Sequence, residues 1–261
     1  MDQSLLEEFR LDWRLAGKAE RTASDFSKAI LQLLEARPDP TLVDVKEWLS
    51  ATSSPAVRRK RGQAIRAFGK WAAGSGYDAF PWWRLVPLAR EVQKPQRTAV
   101  EADYRAALKR AVSLRDKALV EVLWACGLRR SEIVRLGVED VNLRECFLVI
   151  RRSKSGRPRI VPLSPCARQA LRRLIESRSH GLVFEMTSNA VRLCLSRLGA
   201  PSAHAWRRGW AVESLRRGVS ETSVKAAAGW TDGAMVARYT NAMASQLALE
   251  EFKVKWATKR R

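Results

Sequence analysis

The residues in this chain whose type and spacing together suit chemistry on a phosphate are few and widely separated. Histidine occurs only at positions 180 and 204, and His204 stands three residues before Arg207 in "HAWRR". On a helix that spacing puts imidazole and guanidinium on one face, offering a proton acceptor beside a fork that grips oxyanions. Upstream, "CGLRRSEIVRL" holds Gly127, a helix C-cap, then Arg129 and Arg130 at the start of a new helix. A helix N-terminus already attracts anions, and a guanidinium beside it adds two parallel donors. Glu132, three residues after Arg129, either orients that arginine or caps the turn.

Two further residues have the types for proton and nucleophile chemistry, and read alone a solvated turn lysine and a half-buried structural tyrosine are the alternatives. Lys154 stands in "RRSKSGRPR", and no other lysine lies between Lys117 and Lys225. Arginine keeps its proton at any accessible pH, whereas an ammonium can release one to a departing oxygen, so a general acid needs the lysine. Tyr239 is one of only three tyrosines. A free phenol titrates near 10, so its attack on phosphorus requires a base or strongly cationic surroundings. In "AAAGWTDGAMVARYT", Gly229 ends one helix, Trp230 is expected to be exposed, and Thr231 or Asp232 caps the next helix. His180, in "SRSHGLVF", has no such company and reads as a loop residue.

These residues need a scaffold. Residues 1 to about 92 read as several short helices: "TASD" opens an apolar-periodic run to Glu35, "RPDPT" breaks it, and "LVDVKEWLS" follows. Ser54 before Pro55 starts a helix to about Ala73, with Val57, Ala64, Phe68 and Trp71 on one side and Arg59, Arg66 and Lys70 on the other. That basic face, with Arg58, is a candidate DNA contact. A proline-marked linker near 90 to 98 leads to a second domain, 99 to 261. Its order is helices from about 101 to 136, a β-hairpin with strands at 146–151 and 159–163, and helices again to the end. Arg151 and Arg157 flank the hairpin tip that carries Lys154, and are further candidate DNA contacts.

The 261 residues carry 48 Lys and Arg against 27 Asp and Glu, a formal charge of +21. The excess is uneven, with 16 basic against 12 acidic residues up to position 95 and 32 against 15 beyond it. Such a field repels itself unless a polyanion meets it, which points to nucleic acid before an anionic membrane surface. No apolar stretch approaches the roughly 20 residues of a spanning helix, and "DQSLLEEFR" has neither the basic nor the apolar region of a signal peptide, so a host-cell cytoplasmic protein is expected. Cys126, Cys146, Cys166 and Cys194 show no CxxC spacing, and the reading is reduced thiols with no metal site.

Arg129 in "GLRRSE", Lys154 before "RPRIVPL", His204-x-x-Arg207, Trp230 after a glycine and Tyr239 nine residues further on occur in that order. In this the sequence resembles the tyrosine recombinase, or phage integrase, family over about residues 100 to 245, and the first domain is similar to that family's SAM-like core-binding domain. The resemblance implies a mainly α fold with a small β-hairpin or sheet in the catalytic domain. It places the two catalytic arginines on Arg129 and Arg207, the lysine on Lys154, the histidine on His204 and the nucleophile on Tyr239. Trp230 stands where many members have histidine, which keeps an N–H donor but removes a titratable proton. Arg208 stands where a second histidine is frequent and receives no catalytic role.

What the resemblance implies is a recombinase that cuts and rejoins double-stranded DNA core sites through a 3′-phosphotyrosyl link and a Holliday junction. One diester is exchanged for another, so no metal, ATP or other cofactor is needed. A homotetramer on DNA is implied, with a monomer or weak oligomer when free and with accessory DNA-bending or directionality factors as further partners. The tail from about 245 offers Leu247, Leu249, Phe252 and Trp256 as anchors, docking either on its own protomer or on a neighbour. Because the chain begins almost directly with core-binding helices, a phage or mobile-element integrase is expected ahead of a Xer-like dimer resolvase. A non-catalytic DNA-binding regulator and a topoisomerase-like nicking and closing enzyme are the alternatives.

Overall fold

Thr41 and Asp44 exchange hydrogen bonds across the first turn of the helix Leu42–Ser50, each satisfying an amide the helix leaves open. Local signals of this kind set most element boundaries. The computed structural model describes residues 3–90, 96–151, 158–230 and 252, and the chain divides into two compact units, Met1–Lys94 and Pro95–Arg261.

The first unit is helical: α1 (Gln3–Leu15), α2 (Glu20–Ala36), α3 (Leu42–Ser50) and α4 (Pro55–Gly74). Proline at the first position of α4 costs no hydrogen bond, since that amide has no partner within the helix. The apolar stripe of α4 buries Ala64, and packs Ile65 and Phe68 with Phe9, Ile30, Leu33, Val45 and Leu49, with Phe9 and Phe68 in an edge-to-face contact at 5.4 Å. Val57 stays 46% exposed, so the buried stripe begins later along the helix than the spacing suggests.

The second unit contains α5 (Glu101–Arg110), α6 (Leu114–Cys126), α7 (Arg130–Ile133), strands β1 (Val141–Asn142), β2 (Phe147–Ile150) and β3 (Arg159–Pro162), then α8 (Pro165–Ile175), α9 (Ser188–Arg197), α10 (Ala203–Arg216) and α11 (Glu221–Ala228). The sheet is antiparallel in the order β1-β2-β3, with Leu148 opposite Val161 and Ile150 opposite Arg159. The hairpin reading therefore acquires an extra edge strand. At two residues, β1 is too short to show alternation, and it exists because Val141 pairs with Leu148.

Helix α6 is central to this unit. Ala118 to Leu123 are all buried, which no one-sided stripe would give, and the helix packs against α5, α8 and α10. It ends at Gly127, whose φ of +55° is left-handed. A Cβ there would lie 2.5 Å from the Trp210 ring, so glycine is required both for the turn and for the close approach of α10. Among the described residues no helix is long and apolar enough to cross a membrane.

Candidate active site

Arg129 is the residue before α7, and its backbone N–H donates to Glu132 Oε2 at 2.8 Å. Its guanidinium reaches the same carboxylate, Nη1 to Oε1 at 2.8 Å. Glu132 thus does both things its spacing offered: it caps the turn and it orients the arginine. A third group meets it there. Arg159, the first residue of β3, donates Nη1 to Oε1 at 3.0 Å and Nη2 to Oε2 at 2.8 Å, closing a bidentate pair in which the carboxylate is 1% exposed and the guanidinium 6%. Burial pushes the Glu132 carboxyl up, but Arg159 and then Arg129 outweigh it and hold the group below the ordinary carboxylate range.

Arg207 is held by helix ends. On α10 it is 3% exposed, and it donates Nη1 to the Gly127 carbonyl at 2.7 Å and Nη2 to the Ala228 carbonyl. These carbonyls sit at the C-terminal ends of α6 and α11, where the helix dipoles are negative and the last acceptors lack partners within their helices. A buried cation is tolerated there because both ends supply charge-complementary oxygens. Arg159 uses the same feature, its Nε donating to the Ala227 carbonyl at 2.7 Å. The last two carbonyls of α11 therefore hold Arg159 and Arg207 side by side.

His204, on the same face of α10 one turn before Arg207, is exposed. Partial desolvation pushes its pKa down, and the nearby guanidiniums of Arg208, Arg207, Arg129 and Arg130 push it further. The imidazole is therefore neutral at pH 7 and has a lone pair available. That both Arg207 and Arg129 act on it brings the histidine and the two arginines to one locality.

Trp230 departs from its expected exposure. It is 7% exposed, packed with Trp210, Ala211, Val224 and Ala228, and the Arg207 guanidinium carbon lies 5.2 Å from its ring centroid. The left-handed Gly229 turns the chain back so that the ring covers the arginine instead of leaving the surface. The remaining members of the expected set, Lys154 and Tyr239, lie outside the described residues, as does Arg157.

Three of the candidate DNA contacts of the first unit are tied to backbone carbonyls. Arg58 donates to the Thr52 carbonyl at 2.7 Å, Arg59 to Ala89 at 2.8 Å, and Arg66 to Val86 at 2.8 Å and Arg84 at 3.3 Å. These irregular segments have carbonyls with no ladder to satisfy them, and the helix face read as basic and outward supplies the donors. Lys70 is exposed and is the member of that face with no such tie among the described residues. In the second unit, Arg151 pairs with Asp140 at the sheet end, Arg208 donates to the Arg97 carbonyl, and His180 is an exposed loop residue beside Ser179.

Arg159 was missed by the sequence reading. In "RSKSGRPRIVPL" it is one arginine among several, and its place opposite Ile150 at the start of β3, aimed at Glu132, is a matter of register that composition does not show. Among the described residues no group of three or more His, Cys, Asp or Glu is placed to hold a metal ion.

A family model described as "Phage integrase family" matches residues 98–246, more than half of the chain. The chain belongs to that family, and is thereby a tyrosine site-specific recombinase. Among its relatives, tyrosine recombinase XerA of Pyrococcus horikoshii is 24% identical over 97% of this chain and 95% of its own length. Tyrosine recombinase XerD of Vibrio cholerae is 27% identical over 73% of this chain and 68% of its own length. The fold is also that of a lambda integrase dimer bound to a COC′ core site, with a TM-score of 0.72, 14% identity, and coverage of 90% of this chain and 76% of that one. The Tn1549 transposon integrase in complex with a circular intermediate DNA aligns with a TM-score of 0.68 and 16% identity, covering 90% of this chain and 94% of the other.

Proposed function

We propose that this chain integrates a phage or other mobile DNA element by cutting and rejoining double-stranded core sites, with Tyr239 as nucleophile. The phenolic oxygen attacks the scissile phosphorus, the bond from phosphorus to the 5′-oxygen breaks, and a 3′-phosphotyrosyl link remains. His204 takes the phenol proton and Lys154 gives one to the departing oxygen, so the step balances without an outside energy source. Arg129 and Arg207 bind the non-bridging oxygens, and donors aimed at such developing charge are each typically worth about 3–4 kcal/mol. Trp230 braces Arg207 and offers its N–H toward the phosphate.

The observation that carries this reading is the way the guanidiniums are held. Arg207 is anchored by the Gly127 and Ala228 carbonyls and Arg129 by Glu132, so two guanidiniums are held in fixed positions near His204. The neutral state of His204 beside them suits a proton acceptor. A homotetramer assembled on DNA follows from two cleavages on each of two duplexes. Accessory DNA-bending or directionality factors and a place in the host cytoplasm belong to the same proposal.

A nicked suicide duplex tests the chemistry. A covalent adduct is expected with the natural protein and is lost in Tyr239→Phe while binding persists. Binding without any adduct would support a non-catalytic regulator instead. Sequencing the DNA ends trapped on Tyr239 then gives polarity and site together. A Xer-like dimer resolvase is the second reading, favoured by the alignment with XerA along nearly the whole of both chains. Mapping the recombined sites separates the two: element joined to chromosome supports integration, and sites within one replicon support resolution.

A further inference from the structure

The Arg159 side chain is only 6% exposed, makes charged hydrogen bonds in two directions, and has no part in the chemistry above. Its fork pairs with both oxygens of Glu132, and its Nε binds the Ala227 carbonyl at the end of α11. Its aliphatic stem lies against Gly229, where a Cβ would come within 2.9 Å of Arg159 Cδ. On one side, then, it touches the carboxylate that holds Arg129. On the other it touches the helix end whose next carbonyl holds Arg207 and whose following turn carries Trp230.

We propose that Arg159 is a positioning residue that fixes the spacing between Arg129 and Arg207, by locking Glu132 to the C-terminus of α11. This rests on the reading of Arg129 and Arg207 as the phosphate-binding pair. A buried ion pair is a poor source of stability, because desolvating both charges offsets most of their attraction, and an apolar pair of similar volume would serve the fold as well. What an apolar pair lacks is direction. The planar guanidinium presents donors on Nη1, Nη2 and Nε at fixed angles, so the carboxylate and the Ala227 carbonyl cannot shift relative to each other without breaking a bond. A lysine carries the same charge on a single rotatable nitrogen and cannot hold both partners in register. Donors that must meet a transition state need that kind of support, since small displacements of a preorganised group lose much of its effect.

The test uses the full-length protein, the core duplex recovered from Tyr239-trapped DNA, and a matched duplex with a methylphosphonate at the scissile position. The methyl group removes one charged non-bridging oxygen and with it much of the need for two guanidiniums. R159K retains a charge for Glu132 and so spares the fold, which a melting curve checks. Adduct formation by R159K on the phosphate duplex is expected to fall roughly 10- to 100-fold, short of the loss of about 100- to 1,000-fold typical when a transition-state donor is removed outright. On the methylphosphonate duplex the difference from the natural protein is expected to disappear. An equal loss on both duplexes, or no loss on the phosphate duplex, overturns the proposal.

Hydrogen exchange without DNA supplies a readout that does not depend on cleavage. The amides of Arg129, Gly229 and Trp230 are expected to exchange faster together in R159K, and unchanged protection at either end overturns the coupling. If the natural protein forms no adduct, the catalytic reading of the site fails, while the exchange result still decides whether Arg159 joins the two ends.

Discussion

Replacing the two arginines of the site one at a time should give opposite balances of stability and activity. In Arg129→Ala, Glu132 loses one guanidinium bond but keeps both bonds from Arg159 and the Arg129 amide. A hydrogen bond to a charged group contributes roughly 1.5–3 kcal/mol, and the Arg129 side chain is 19% exposed, so a loss near the lower end, about 1–2 kcal/mol, is expected. In Arg207→Ala, two charged bonds to helix-end carbonyls vanish, which totals roughly 3–6 kcal/mol. The cation stacked on Trp230 adds about 0.5–2 kcal/mol more. At roughly 2–4 °C per kcal/mol for a unit of this size, Arg129→Ala shifts Tm by a few degrees and Arg207→Ala by about 10 °C or more. Thermal unfolding of the DNA-free protein, followed by tryptophan fluorescence, measures both shifts, and urea unfolding measures the free energies. Equal losses, or a larger loss for Arg129→Ala, would refute the view that helix-end carbonyls make Arg207 a structural as well as a phosphate-binding group. A practical consequence is that inactivity of Arg207→Ala has to be read beside its folding, whereas inactivity of Arg129→Ala reports the site directly.

Gly127→Ala must hold alanine at positive φ and place a methyl against the Trp210 ring, which should cost about 2–5 kcal/mol from backbone and overpacking together and be visible in the same unfolding curves. Lys70→Ala should lower the slope of log affinity for DNA against log salt by about one, while Arg59→Ala and Arg66→Ala act chiefly on the stability of the first unit. His204 has a depressed pKa, so the unfolded chain binds a proton at a higher pH than the folded one. Its contribution to stability is complete above the unfolded value near 6.5 and is lost as pH falls below it, so His204→Gln should flatten the acid side of a stability–pH profile. Burial pushes the Cys126 thiol up to about 12, and Cys166 is exposed, so a thiol reagent at pH 8 should label Cys166 readily and leave Cys126 intact until the protein unfolds.

The family of this protein was legible in the sequence because it is marked by rare residue types in a fixed order. A histidine one helical turn before an arginine, an isolated lysine in an arginine-rich turn, and a tyrosine beyond a Gly-Trp pair are local facts, and local signals also set the helices: Pro55, Gly127 and Gly229 all act at the position the sequence suggests. Which charges face outward was not legible. Arg58, Arg59 and Arg66 resemble any solvated basic face until irregular loops bring carbonyls to them, and Trp230 reads as exposed until α10 supplies Trp210 and Arg207 beneath it. Arg159 was hidden for the same reason. A guanidinium on β3 meets a carboxylate from α7 and a carbonyl from α11 only after strand pairing and helix packing have brought those distant segments together. The sequence by itself determined which groups were present and in what order; tertiary structure decided which of them are buried and what they hold, because a long cationic side chain takes its partner from whatever packing leaves within its reach.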